Sequence, residues 1–109
     1  MNNYTPDVWV VLEFDAPELE NPTRKVFAGW YGGFAGNNSW KLNSGIVQTK
    51  FVENFYEFEG YSGSTYFCHP NGYGMSSYML SVLDRWLVYA ESKDNMQIRV
   101  LDLDEVLPL

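Results

Sequence analysis

The chain has 109 residues, 46% of them hydrophobic, which suits one domain and excludes a disordered chain, because the apolar content offsets the ordering entropy. Its 7 basic and 14 acidic residues leave a net charge of −7, which disfavours direct nucleic-acid binding through a phosphate backbone. One cysteine, Cys68, excludes an internal disulfide framework, and with the single histidine, His69, it is too little for a metal cage, so no metal and no cofactor is expected.

In chain order, the first seven residues carry no basic region, and the apolar run that follows is too short for a signal-peptide core or a membrane span. A soluble intracellular protein is therefore expected. Residues 8–14 are β-branched and aromatic, and their near-continuous apolar character predicts a central strand covered on both faces. Residues 15–22 hold two prolines and three acids and read as a loop. Residues 24–31 form the second arm of a hairpin and run into a glycine-rich turn over 32–38. Residues 39–42 read as a short strand or a bulge. Two more strands, 45–52 and 55–59, join around Glu53-Asn54, with Phe55, Glu57 and Glu59 on one face and Tyr56 and Phe58 on the other. Residues 64–68 are a further strand, stopped by Pro70-Asn71-Gly72.

One amphipathic helix is predicted over about residues 77–91, where Met79, Val82, Leu83, Trp86, Leu87 and Ala90 make an apolar stripe at helical spacing. Ser76 or Ser77 suits its N-cap. A last strand over 96–101 and an acidic tail complete the chain. The fold class is thus α+β, a mostly antiparallel β-sheet with that helix packed on one face, and a single compact domain spans 1–109. Phe14, Phe27, Phe58 and Trp86 are the expected core aromatics.

Catalytic signatures are weak. Cys68-His69 invites a thiol–imidazole dyad, yet neighbours on a strand point to opposite faces, so Cys68 is read as a packed apolar residue. Gly60-Tyr61-Ser62-Gly63-Ser64 falls short of a nucleophile elbow because Ser64 stands where glycine is required. Asp102 and Asp104 share a face if the last strand continues, but they read as an exposed acidic edge. The expectation is a protein that is not an enzyme. Residues 29–41 interleave Trp30, Tyr31, Phe34 and Trp40 with glycines before Lys41. Such a segment lets backbone approach a ligand, stacks aromatics on planar groups and offers a cation to a phosphate. The expected ligand-binding residues are Trp30, Tyr31, Trp40, Tyr61, Tyr66 and Tyr73 as walls. Ser62, Ser64 and His69 would be hydrogen-bonding groups, and Lys41 and Arg24 phosphate partners.

The runs Val26 to Trp30, Gly32-Gly33, Ser39 to Ile46, Tyr61 to Ser64, Tyr66, Cys68-His69 and Tyr73 to Ser76 together resemble small acidic accessory proteins of bacteriophages and prophages. The resemblance covers roughly residues 7–85 and implies a counter-defence role in the host cytoplasm. Two expectations follow. The first is a sponge, a homo-oligomer without membrane contact that sequesters a cyclic nucleotide or other nucleotide-derived immune signal. The alternative is an acidic nucleic-acid mimic that inhibits a host immune protein, such as a CRISPR effector, through charge complementarity.

Overall fold

The computed structural model describes residues 2–32, 38–93 and 95–107. Most of the predicted glycine-rich turn, residues 33–37, lies outside the described residues, as do Asp94 in the helix-ending segment and the last two residues of the acidic tail. The strands are β1 (Asn3–Tyr4), β2 (Val8–Asp15), β3 (Thr23–Trp30), β4 (Ser39–Leu42), β5 (Ile46–Val52), β6 (Phe55–Gly60), β7 (Thr65–Cys68) and β8 (Gln97–Val100), with helix α1 (Ser77–Glu91) between the last two. They divide into two four-stranded sheets, β1-β7-β6-β5 and β4-β3-β2-β8. All pairings are antiparallel except β1 with β7. The α+β class with one packed helix is therefore the observed one, and the strands occupy two layers.

The pattern of β2 explains the layering. Trp9 and Val11 point one way and Val10 and Leu12 the other, and all four are buried. On the first side they meet Val26 and Ala28 of β3, Phe58 of β6, and Tyr66 and Cys68 of β7, which makes the core between the sheets. On the second side they meet Phe27 and the helix residues Met79, Val82 and Leu83. The middle sheet is thus covered on both faces, as the continuous apolar run of β2 predicts. Trp9 anchors the inter-sheet core: fully buried, it contacts Tyr56, Phe58 and Tyr73 and donates from Nε1 to the His69 carbonyl at 2.7 Å.

The helix begins where Ser76 Oγ accepts the Met79 amide at 3.2 Å. Its predicted stripe faces the middle sheet, with Met79, Val82, Leu83 and Ala90 buried and Trp86 and Leu87 packed beside them. Met79 Sδ lies directly on Gly29 of β3, which leaves no room for a side chain there. Among the described residues no helix is long and apolar enough to cross a membrane.

Two local readings change and a third narrows to one of its alternatives. Asn3 and Tyr4 form β1, because they pair in parallel with Thr65 and Tyr66, a long-range contact that no local pattern encodes. Residues 39–42 are a regular strand, paired with β3 from Phe27 to Trp30. The last strand stops at Val100, and the chain turns through a 3-10 segment at Leu103–Glu105 because Leu101 and Val106 both enter the inter-sheet core. Asp102 and Asp104 therefore do not share a strand face.

Candidate functional site

One edge of the inter-sheet layer is polar. There the end of β4 and the loop after it meet the β6–β7 turn and β1, and a cleft of about 250 Å³ opens between them. It is lined by the paired Tyr4 and Tyr66, by Lys41, Leu42, Asn43 and Ser44 of β4 and the loop after it, and by Gly60, Ser62 and Ser64.

Asn43 sets the geometry. Its backbone N–H donates to the Val26 carbonyl at 2.9 Å, and its side-chain Oδ1 accepts the Val26 N–H at 2.8 Å. The side chain thereby extends the β3–β4 ladder past the end of the strand. Because Val26 N–H can only donate, the amide orientation is fixed and Nδ2 is the free end. Asn43 is 4% exposed, and its Nδ2 has no hydrogen-bond partner. A buried donor left unmade costs about 1–3 kcal/mol, so its retention calls for an explanation.

Gly60 lies close against that amide, where a side chain would crowd it. A methyl group on Gly60 would stand 3.1 Å from Asn43 Nδ2 and 3.2 Å from Ser44 Oγ. Opposite Gly60 the β5–β6 ladder slips between Ile46 and Gln48, a bulge of the kind that re-aims neighbouring residues. The β6–β7 turn is held by Gly63 N–H to the Gly60 carbonyl at 2.9 Å and Gly60 N–H to the Ser64 carbonyl at 2.8 Å. Gly63 adopts φ 96, which glycine tolerates and other residues avoid. The turn is tied to the β4–β5 loop by Ser62 N–H donating to Ser44 Oγ at 2.9 Å, and Ser44 Oγ donates on to Ser62 Oγ at 3.2 Å. The Ser62 hydroxyl proton is then free to reach a third group.

The remaining donors stand on the walls. Lys41 Nζ lies 5.2 Å above the Tyr4 ring, and Tyr4 packs on Tyr66 with ring centroids 5.0 Å apart. Burial, with smaller contributions from Tyr4 and Cys68, pushes the Tyr66 phenol up to about 12, so it stays protonated at neutral pH. Among the described residues lining the cleft, Lys41 alone is charged.

Of the expected binding residues, Lys41, Ser62, Ser64 and Tyr66 come together here, and Tyr61, 83% exposed, stands between lining residues Gly60 and Ser62. The others are placed elsewhere. Trp40 points to the opposite face of β4, wedged against Phe27 and Trp86 under the helix. Trp30 packs on Tyr4 and donates from Nε1 to the Thr5 carbonyl, and Tyr31 is exposed. Tyr73 joins the strands, its hydroxyl donating to the Leu101 carbonyl at 2.6 Å and accepting the Val11 N–H at 3.2 Å. Arg24 is spent on Glu13 and the Glu105 carbonyl, in a network that also holds Arg99. His69 is exposed and packs at a tilt against Phe55, whereas Cys68 is buried in the inter-sheet core, where burial pushes its thiol up. The two side chains do not form a dyad.

Sequence reading missed Asn43, Ser44, Gly60 and Tyr4. Nothing local in Asn43-Ser44-Gly45 signals that its first member is buried with a donor left over. No protein-family model, no curated protein and no solved structure matches the chain.

Proposed function

We propose that this protein is a non-catalytic binding protein that holds a small nucleotide-type ligand in the cleft formed by Lys41, Asn43, Ser62, Ser64 and Tyr66. In line with the resemblance to phage accessory proteins, the ligand is a host immune signal, sequestered intact in the host cytoplasm. The observation that carries this reading is the unpartnered, buried Asn43 Nδ2, which stands beside Gly60 among the residues that line the cleft. A hydrogen-bonding ligand in the cleft satisfies a donor that the fold otherwise leaves at a cost. Sequestration rather than turnover is favoured by the surroundings: the cleft is lined by donors, and Cys68 is buried as an unreactive thiol.

The test is native mass spectrometry of the protein purified from a host with active immune signalling, followed by calorimetry with cyclic dinucleotides and cyclic ADP-ribose isomers. A retained ligand, recovered unaltered on denaturation and lost in Gly60→Ala, is the expected result. Absence of binding across that panel refutes the reading.

A second reading, an acidic inhibitor of a basic immune protein, also has an observation in its favour. The solvent face of β5-β6-β7 carries two adjoining hollows of about 330 and 160 Å³ that share Glu57 and Phe67. Glu53 and Phe55 line the first and Glu59 and Lys50 the second, and Glu53, Glu57 and Glu59 form no ion pair among the described residues. Affinity capture at low salt from infected cells separates the two. An immune protein captured by the wild type and lost in a Glu57→Lys, Glu59→Lys variant favours inhibition.

A further inference from the structure

The donor inventory of the cleft specifies which end of a ligand it takes. Asn43 Nδ2 carries two protons and no lone pair to share, and a lysine ammonium carries three. Ser62 has a free proton once its oxygen is engaged by Ser44. Among the described lining residues none is a carboxylate that could accept from a nucleobase amine. The Tyr4 ring, the aromatic face nearest Lys41, already lies under the Lys41 ammonium, so it is not open for base stacking. The volume, about 250 Å³, also falls below the roughly 300–1,000 Å³ that encloses a whole drug-sized ligand.

We propose that the cleft takes its ligand phosphate-first: a phosphate oxyanion seats beside Gly60 between Lys41 Nζ, Asn43 Nδ2 and the Ser62 hydroxyl, while the nucleoside stays outside near exposed Tyr61. This rests on the binding function proposed above and names the group that the site recognises. Each contact is a hydrogen bond to an anion, and the one to Lys41 is charge-assisted at both ends. Gly60 then limits the room beside the donor, since a methyl group there would stand 3.1 Å from Asn43 Nδ2. The charge of −7 over the whole chain repels anions, so recognition depends on these directed donors and not on the general field.

The experiment is calorimetry and phosphorus NMR on the full chain with AMP, cyclic di-AMP and inorganic phosphate, each compared with adenosine. At least one phosphorylated probe is expected to bind about tenfold or more tightly than adenosine, in keeping with charge-assisted hydrogen bonds. Asn43→Asp keeps the Oδ1 acceptor for Val26 but replaces the donor with an anionic oxygen, and it should weaken that probe by at least about tenfold. Lys41→Met keeps the stem over Tyr4, removes the charge and should do the same, which covers the case in which Asn43→Asp does not fold. If adenosine binds as well as the phosphorylated probes, and Lys41→Met leaves binding unchanged, the phosphate seat is wrong while the binding function stands. If none of the four probes binds, the phosphate seat is refuted, and the immune-signal panel decides whether the wider function survives.

Discussion

The two interiors on either side of the middle sheet are built to different rules. The helix side is apolar and full: Phe27 is enclosed by Trp40 and Trp86, and Met79 rests on a glycine because nothing larger fits. The inter-sheet side is equally tight around Trp9 but gives way at one edge to Asn43, Ser44, Ser62 and Ser64, with a donor left unmade. A protein interior normally satisfies its polar groups, and of the two buried side-chain atoms without a partner among the described residues, Asn43 Nδ2 and Thr49 Oγ1, the first belongs to a residue that lines the cleft. The difference locates the site better than charge or aromatic content does.

Substitutions can break or sharpen this contrast. Trp9→Ala removes the largest side chain of the inter-sheet core, and should cost about 3–5 kcal/mol by denaturant unfolding. Loss of much less would mean that the two sheets are held mainly by other contacts. Gly29→Ala tests the helix side by overfilling it: a methyl group must displace Met79, with an expected cost of about 1–3 kcal/mol. Tyr73→Phe removes a hydroxyl that serves both Val11 and Leu101, and should cost about 1 kcal/mol in the same assay. Ser62→Ala at the polar edge should change stability by less than about 0.5 kcal/mol, yet weaken ligand binding. Equal losses at Ser62 and Tyr73 would erase the distinction between site and scaffold.

Alkaline pH probes the same boundary. The Tyr66 phenol is pushed up from 10.0 to about 12, mainly by burial. A raised folded-state value means that this contribution is fully present below pH 10 and is lost as pH climbs toward about 12. Tyr66→Phe should therefore unfold at higher pH than the wild type when stability is followed along an alkaline titration. No difference between them would place the alkaline loss in other groups.

Much of the scaffold was legible in the sequence because its signals are local. The stripe from Met79 to Ala90 and the Ser76 cap specify α1, and the two-sided apolar run of β2 specifies a strand buried on both faces. The Glu53-Asn54 turn was legible as a connection, and both residues adopt the left-handed conformation expected of a two-residue hairpin loop. The site was only half legible. Lys41, Ser62 and Ser64 stand out as polar residues among aromatics and glycines, but proximity to glycine could not tell Trp40 from Lys41. Alternation along β4 sends the first under the helix and the second to the cleft. Arg24 was equally ambiguous, since its partner Glu13 lies on a neighbouring strand, paired in register. Asn43 was invisible because its meaning depends on Val26 and Gly60, which reach it from two other strands.

The two-residue strand β1 gives the cleft an uneven durability. Tyr4, which forms one wall, is held by parallel pairing to β7 and by the Thr65 N–H to the Asn2 carbonyl at 3.0 Å. So short a strand has few bonds to lose, and belongs with the segments of a fold that open at a small fraction of the global free energy. In amide hydrogen exchange, the Thr65 N–H should therefore trade its proton well before those of Val10 or Phe27, whose strands are paired on both sides. The wall on which Lys41 rests is thus expected to open before the paired strands of the middle sheet, and a bound ligand would register there as slowed exchange.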